Sequence, residues 1–288
     1  MPNDIVNPLE KGKKLVEMVM DRNSDFGGDF IEISGAQGTS KTSCLLTFLG
    51  HTLKNHPKEK AFFREQVDAP LQIFKLGVEN FDKIDFLFQE SANVVFRDRA
   101  DHLKELDLPH KTFTDFEDLW KKSKRGHVTI PVFNKTEDWL DFLEWLRNAG
   151  EWVSIYIDEF GDIAPSNKSG DEYARLVNFA NTAGAFRRCM MKVFYTTQTA
   201  DAIFWMVRSK LMTTIQFRGS KAIKKNRVTQ KAIDNLAVDP IKGNQAWIER
   251  SGEFGRLRFV KIHKPIDGIQ YEVHRNGPQE DGKEETSS

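Results

Sequence analysis

The stretch FIEISGAQGTSKTSCLL, residues 30–46, limits the fold more than any other part of this 288-residue chain. It opens on alternating apolar residues, passes through a loop with two glycines, and continues into a helix-forming run that begins Lys-Thr. Strand, glycine-containing turn and helix, in that order, present the N–H groups of a helix start to an anion. The loop reads Gly35-Ala36-Gln37-Gly38-Thr39-Ser40-Lys41-Thr42, with Ser43 following. It departs from the phosphate-loop pattern G-x-x-x-x-G-K-[ST] at one place, where Ser40 replaces the expected glycine. Glycine there allows a positive φ; a serine must tolerate strain or take a different path. Taken alone, the segment is either a nucleotide loop with one irregular residue or a strand-to-helix turn with a chance Lys-Thr.

A second motif bears on that choice. WVSIYIDEFGD, residues 152–162, is an apolar, β-branched strand that ends in Asp158-Glu159. Opposite a phosphate loop, Asp158 would hold the Mg²⁺ shell and Glu159 would orient or deprotonate an attacking water. Acidic residues at the wet end of a strand are common, but their joint occurrence with the loop, in this order, is not. Further on, KVFYTTQ (192–198) ends in Thr196-Thr197-Gln198, a polar strand end able to reach a γ-phosphate. Together the motifs call for ATP and Mg²⁺.

The rest of the chain reads as strands alternating with helices, an α/β fold with a mainly parallel central sheet. Residues 8–22 form a lead-in helix, TEDWLDFLEWLRNAG (136–150) an amphipathic helix, and LMTTIQFR (211–218) a strand. Trp139, Phe142 and Trp145 recur at helical spacing and face the core. VTIPVF (128–133) is a strand that Pro131 demotes towards an edge or an interrupted strand, and NVVFRD (93–98) is a further strand. NQAWIER-SGEFG-RLRFVKI (244–262) closes the fold as a β-hairpin. We read residues 1–275 as a single domain, with a helical lead-in over 1–27 and an insertion of unassigned structure over 55–127. Residues 276–288 have almost no apolar side chains, which predicts a disordered tail.

Composition excludes some functions. Lys+Arg and Asp+Glu both number 42, so no global basic field announces nucleic acid, and any such contact must be local. The local candidate is RGSKAIKKNR (218–227), in which Lys221, Lys224, Lys225 and Arg227 could meet DNA phosphates; the alternative is a solvated loop. KKSKRG (121–126) reads as a helix C-terminus. The seven histidines show no metal-ligand spacing. Two cysteines far apart in sequence predict reduced thiols and a reducing compartment, hence a cytoplasmic location, the host cytoplasm or the virion if the protein is viral. No apolar run is long enough for an integral membrane segment.

The motifs GAQGTSKT, YIDEFGD and GAFRRCMMKVFYTTQTADAIFWMVRSKLMTTIQFR resemble the FtsK–HerA superfamily of pumping ATPases. The hairpin segment QAWIERSGEFGRLRFVKIHKP is similar to the chain ends of compact packaging ATPases from membrane-containing archaeal viruses. The resemblance covers residues 28–54 and 150–265 reasonably and 55–127 poorly. It implies a RecA-like P-loop NTPase core, with Lys41 and Thr42 on phosphate and Mg²⁺ and Asp158-Glu159 as the acidic pair. It further implies Gln198 as the sensor and Arg187 or Arg188 as an arginine finger entering a neighbouring subunit. A finger supplied in trans requires a ring, so a homohexamer is implied, with double-stranded DNA and viral capsid or membrane-vertex proteins as partners. The function expected is an ATP-driven translocase that packages a viral genome. A cellular or plasmid DNA pump, or an ATP-dependent interaction module with little hydrolysis, are the alternatives.

Overall fold

The computed structural model describes residues 8–22, 27–65, 72–76, 78–90, 110–221, 227–239 and 243–259. In chain order the main elements are α1 (Pro8–Met20), β1 (Asp29–Ser34), α2 (Lys41–Asn55), β2 (Lys60–Arg64), β3 (Ile84–Gln89) and β4 (His110–Phe113). Then come α3 (Phe116–Lys122), β5 (Val128–Val132), α4 (Asp138–Leu146), β6 (Val153–Ile157), α5 (Gly170–Ala185) and β7 (Met191–Thr197). The chain continues through α6 (Trp205–Arg208), β8 (Thr213–Phe217), α7 (Arg227–Asp234), β9 (Asn244–Arg250) and β10 (Glu253–Phe259).

The ten strands among the described residues join one sheet in the order β10-β9-β8-β1-β7-β6-β2-β5-β3-β4. Pairing is parallel from β8 to β4 and antiparallel only where β9 and β10 extend the sheet past β8. Every residue of β1, β2, β5, β6, β7 and β8 is buried, because helices cover both faces. One apolar layer packs α1 and α2 onto the sheet through Leu15, Val19, Leu45, Leu49 and Ile33. On the opposite face Phe142, Leu143, Phe179 and Ala183 bring in α4 and α5. Trp139 and Phe142 are buried and Trp145 stacks at the edge of the same layer, as their spacing predicts. The hairpin turn puts Ser251 at φ 51° and Gly252 at φ 83°, the paired left-handed geometry that matches strand twist.

Two readings from sequence are narrowed or corrected. Of the two alternatives for the strand holding Pro131, it is the interrupted one and not an edge: β5 lies buried between β2 and β3. Proline is accommodated because β2 pairs only with Val128 and Thr129, so that ladder has ended before Pro131. The span 55–127 supplies the sheet itself, since β2 sits directly between β6 and β5. The strand expected at 93–98 and the tail at 276–288 lie outside the described residues.

Candidate functional site

Parallel strands send their following loops to one end of the sheet, and three of those loops meet. The loop after β1 carries residues 35–40, the loop after β6 carries Asp158-Glu159, and β7, which lies between these strands, ends beside Gln198. Gln37, Gly38, Ser40, Lys41, Thr42, Ser43, Asp158, Glu159, Thr196 and Gln198 line a single cleft of about 270 Å³ there.

The loop after β1 has the shape its glycines allow. Gly38 takes φ 77°. A Cβ on Gly35 would fall 2.6 Å from Thr39 Oγ1 and 2.7 Å from Phe217 Cβ, so only glycine fits. Ser40 adopts the strained solution of the two open to it, at φ 74° and ψ 26°. Such a conformation costs about 1–3 kcal/mol in a non-glycine residue, so the surrounding structure must impose it. Ala36 ties the loop to the next strand end, its N–H donating to Arg218 O at 3.1 Å, and Thr39 Oγ1 donates to Ala36 O at 2.7 Å.

Lys41, the first residue of α2, lays its ammonium along this loop, donating to Gly35 O at 2.9 Å and Ala36 O at 3.0 Å. Burial lowers its pKa, and the nearby Glu159 and Asp158 carboxylates partly oppose that shift. Thr42 reaches across the cleft, its hydroxyl 3.2 Å from Asp158 Oδ1 and 3.3 Å from Oδ2. From β7, Thr196 Oγ1 donates to Asp158 Oδ1 at 2.7 Å and accepts from Glu159 N at 2.8 Å. Asp158 is thus gripped by two hydroxyls. Burial raises its pKa, and the bonds from Thr196 and Thr42 pull the other way. Glu159 is also shifted up by burial, with the Gln198 backbone N–H, 3.4 Å from its Oε1, opposing the shift.

Glu159 sits at φ 54°, a second non-glycine residue in the left-handed region. Arg64, at the end of β2, holds this turn. Its Nη1 donates to Asp158 O at 2.6 Å and Glu159 O at 3.2 Å, and its Nη2 reaches Asp162 Oδ2 at 3.1 Å. Sequence reasoning missed Arg64; the available signal was a basic residue closing the apolar run KAFFR. It also passed over Asn244 of β9, whose Nδ2 donates to Ser40 Oγ at 2.9 Å. For Asn244 the sequence held no signal, because the contact spans 204 residues.

The remaining candidates lie elsewhere. Arg187 and Arg188 are exposed in the turn before β7, at the far end of that strand from Gln198. Seven residues at about 3.3 Å each put some 23 Å between them and the cleft. Lys221 is exposed and ion-paired with Asp201 in the loop that follows Gln198. Lys224 and Lys225 lie outside the described residues, and Arg227 is the first residue of α7. Among the described residues no cluster of three or more His, Cys, Asp or Glu could hold a metal ion, and no helix is long and apolar enough to cross a membrane.

A scan against protein-family models found no match, and a search of curated proteins found none either. Solved structures do match. The genome packaging NTPase B204 from Sulfolobus turreted icosahedral virus 2, in complex with AMPPCP, is 13% identical over 83% of this chain and 98% of its own, with a TM-score of 0.53. The same protein in complex with sulfate is 12% identical over 83% and 97%, with a TM-score of 0.51. The pCW3 conjugation coupling protein TcpA, in monomer form with ATPγS, is 11% identical over 82% and 61%, with a TM-score of 0.45. At these identities the likeness is one of fold. This chain has the RecA-like P-loop ATPase fold, which the resemblance to FtsK–HerA ATPases also implied.

Proposed function

We propose that the protein is an ATP-hydrolysing translocase of double-stranded DNA that packages a viral genome. One observation carries the catalytic part: a single cleft brings Lys41 and Thr42 to Asp158 and Glu159, with Thr196 bonded to both acidic residues. The likeness of fold to B204, a genome packaging NTPase, supports the packaging part.

Each side chain then has a task. Backbone N–H groups of residues 38–43 receive the β-phosphate at the helix start, and the Lys41 ammonium leaves its loop carbonyls to meet the β- and γ-phosphates. The cleft suits Mg²⁺, since the Thr42 hydroxyl and the Asp158 carboxylate are hard oxygen donors already 3.2 Å apart. Bound there, Mg²⁺ would neutralise charge on the phosphates. Glu159 accepts a proton from the attacking water, a role favoured by a carboxylate pKa shifted up by burial. Gln198 extends from the strand end next to Glu159 and reads the γ-phosphate. Arg187 or Arg188 acts on a neighbour's phosphate in a homohexameric ring. Lys221, Lys224, Lys225 and Arg227 contact DNA phosphates without reading sequence, and capsid or membrane-vertex proteins receive the motor.

ATP turnover measured with and without linear duplex DNA tests the proposal. Turnover that duplex DNA stimulates, and that Lys41→Ala abolishes together with ATP binding, is the expected result. ATP binding with no turnover under either condition would make the protein an interaction module instead.

A further inference from the structure

We propose that Asn244, the first residue of the C-terminal hairpin, is a positioning residue of the nucleotide site and acts through Ser40. The proposal rests on the nucleotide-binding reading of the cleft and assigns the hairpin a part in it. Ser40 stands at the N-cap of α2, where a serine ordinarily turns its hydroxyl to an N–H two or three residues on. Here it makes no such bond: the side chain is buried, and Ser40 contributes to the helix only through its carbonyl, which accepts from Cys44 N at 2.9 Å. Its hydroxyl is held by Asn244 Nδ2 at 2.9 Å.

Two consequences follow from that one contact. The first-turn N–H groups of α2 are not capped by the loop's own hydroxyl, so they stay open to a phosphate. The left-handed backbone of Ser40, which a glycine would adopt freely, is instead held from outside by a hydrogen bond. Asn244 can impose it because it is itself fixed. Only 1% exposed, it accepts from Asp239 N at 2.9 Å through Oδ1, which orients the amide so that Nδ2 faces Ser40. Ser40 and Asn244 together thus do what the missing glycine would do alone.

The pairing makes a prediction that a merely structural asparagine would not. Equilibrium binding of ATPγS and steady-state ATPase kinetics are compared for the wild type, Asn244→Ala, Ser40→Ala, Ser40→Gly and the Asn244→Ala/Ser40→Gly double variant. Asn244→Ala and Ser40→Ala each weaken ATPγS binding and raise KM about tenfold, the effect of one buried hydrogen bond, while kcat changes less than about threefold. Ser40→Gly restores binding in the Asn244→Ala background to within about threefold of wild type, because glycine needs no support. Should Asn244→Ala fail to fold, Ser40→Ala, with Asn244 intact, carries the same test. Wild-type binding by both alanine variants, or a folded Asn244→Ala protein that Ser40→Gly cannot rescue, overturns the proposal alone. A wild type that binds no ATPγS overturns it together with the nucleotide reading.

Discussion

The middle of β1 and the end of β6 both bury carboxylates, and the chain treats them in opposite ways. Within β1, Glu32 is fully buried and receives Arg208 Nε at 2.9 Å, Arg208 Nη2 at 3.2 Å and Tyr195 OH at 2.9 Å. At the start of the same strand Asp29 is paired with Arg250 and bonded to Thr213. These charges are answered inside the chain. Asp158 and Glu159, at the end of β6, receive hydroxyls and backbone N–H groups, and neither forms an ion pair among the described residues. Even Arg64 gives its guanidinium to their carbonyl oxygens and to Asp162. Buried charge costs heavily unless paired, so the chain spends stability at β6 that it recovers at β1. Lys41 and Arg64 lie near enough to offset part of that charge, but with no direct ion pair these carboxylates keep room for a cation from outside.

The largest expected effect asks whether part of that missing charge arrives from another copy. Lys41 covers some of the charge that develops on a γ-phosphoryl group, and an added arginine typically contributes about 10³–10⁵ in rate. Arg187 and Arg188 are exposed at the wrong end of β7 for their own cleft. The Arg187→Ala/Arg188→Ala variant should bind ATP normally and lose hydrolysis by that factor. Mixing it with Glu159→Gln should recover some turnover, since mixed rings contain sites with an intact glutamate facing an intact arginine. No recovery in proven mixed oligomers would remove the trans arginine from the account.

Next in size is Glu159 itself. Replacing it by Gln keeps its shape and removes the base, so turnover should fall by about 10²–10⁴ with ATP affinity retained. Unfolding by urea should show no loss of stability, because no ion pair is broken. Unchanged turnover would move the base elsewhere. The contrasting change is Arg208→Ala, which leaves Glu32 buried and unpaired. Loss of one partner of a buried pair costs about 3–5 kcal/mol; the Arg208 side chain is 16% exposed, so the lower figure applies. A loss below about 1 kcal/mol, read from the urea midpoint, would break the contrast between the two strands.

How much of this could be read beforehand depended on distance along the chain. The loop after β1, the acidic pair and the end of β7 are each a local run of strand followed by polar residues, and each was legible. Ser40 was recognised as a departure, but its resolution was not, because the stabilising amide lies 204 residues away. β2 was missed since KAFFR is a short apolar run that periodicity cannot assign, and Arg64 was missed with it. Pro131 left a choice open for a related reason: a proline within a strand argues for an edge or an interruption, and only the register shows where the neighbouring ladder stops.

The smallest expected effect is the sharpest test of the comparison, because the two carboxylates should respond with opposite signs. Burial holds the pKa of Asp158 above its ordinary 3.8, whereas the unfolded chain returns it to that value. Between those two values the folded protein binds the proton more tightly, so stability falls as pH rises through that window. Above the folded value the whole cost of the buried charge is present. Asp158→Asn removes that charge and keeps an oxygen for the hydroxyls of Thr42 and Thr196. It should therefore stabilise the protein at pH 7.5 by about 0.5–2 kcal/mol, at the expense of hydrolysis, as relief of strain at a functional site commonly does. As the pH falls and Asp158 takes up its proton in the folded wild type, the gain should shrink. Glu32→Gln should do the reverse at neutral pH, since it strands the Arg208 guanidinium beside a neutral amide. Urea midpoints for both variants between pH 4 and 8 decide the matter. If Asp158→Asn destabilises at neutral pH, then its charge is already compensated within the fold, and the cleft has no standing demand for a cation.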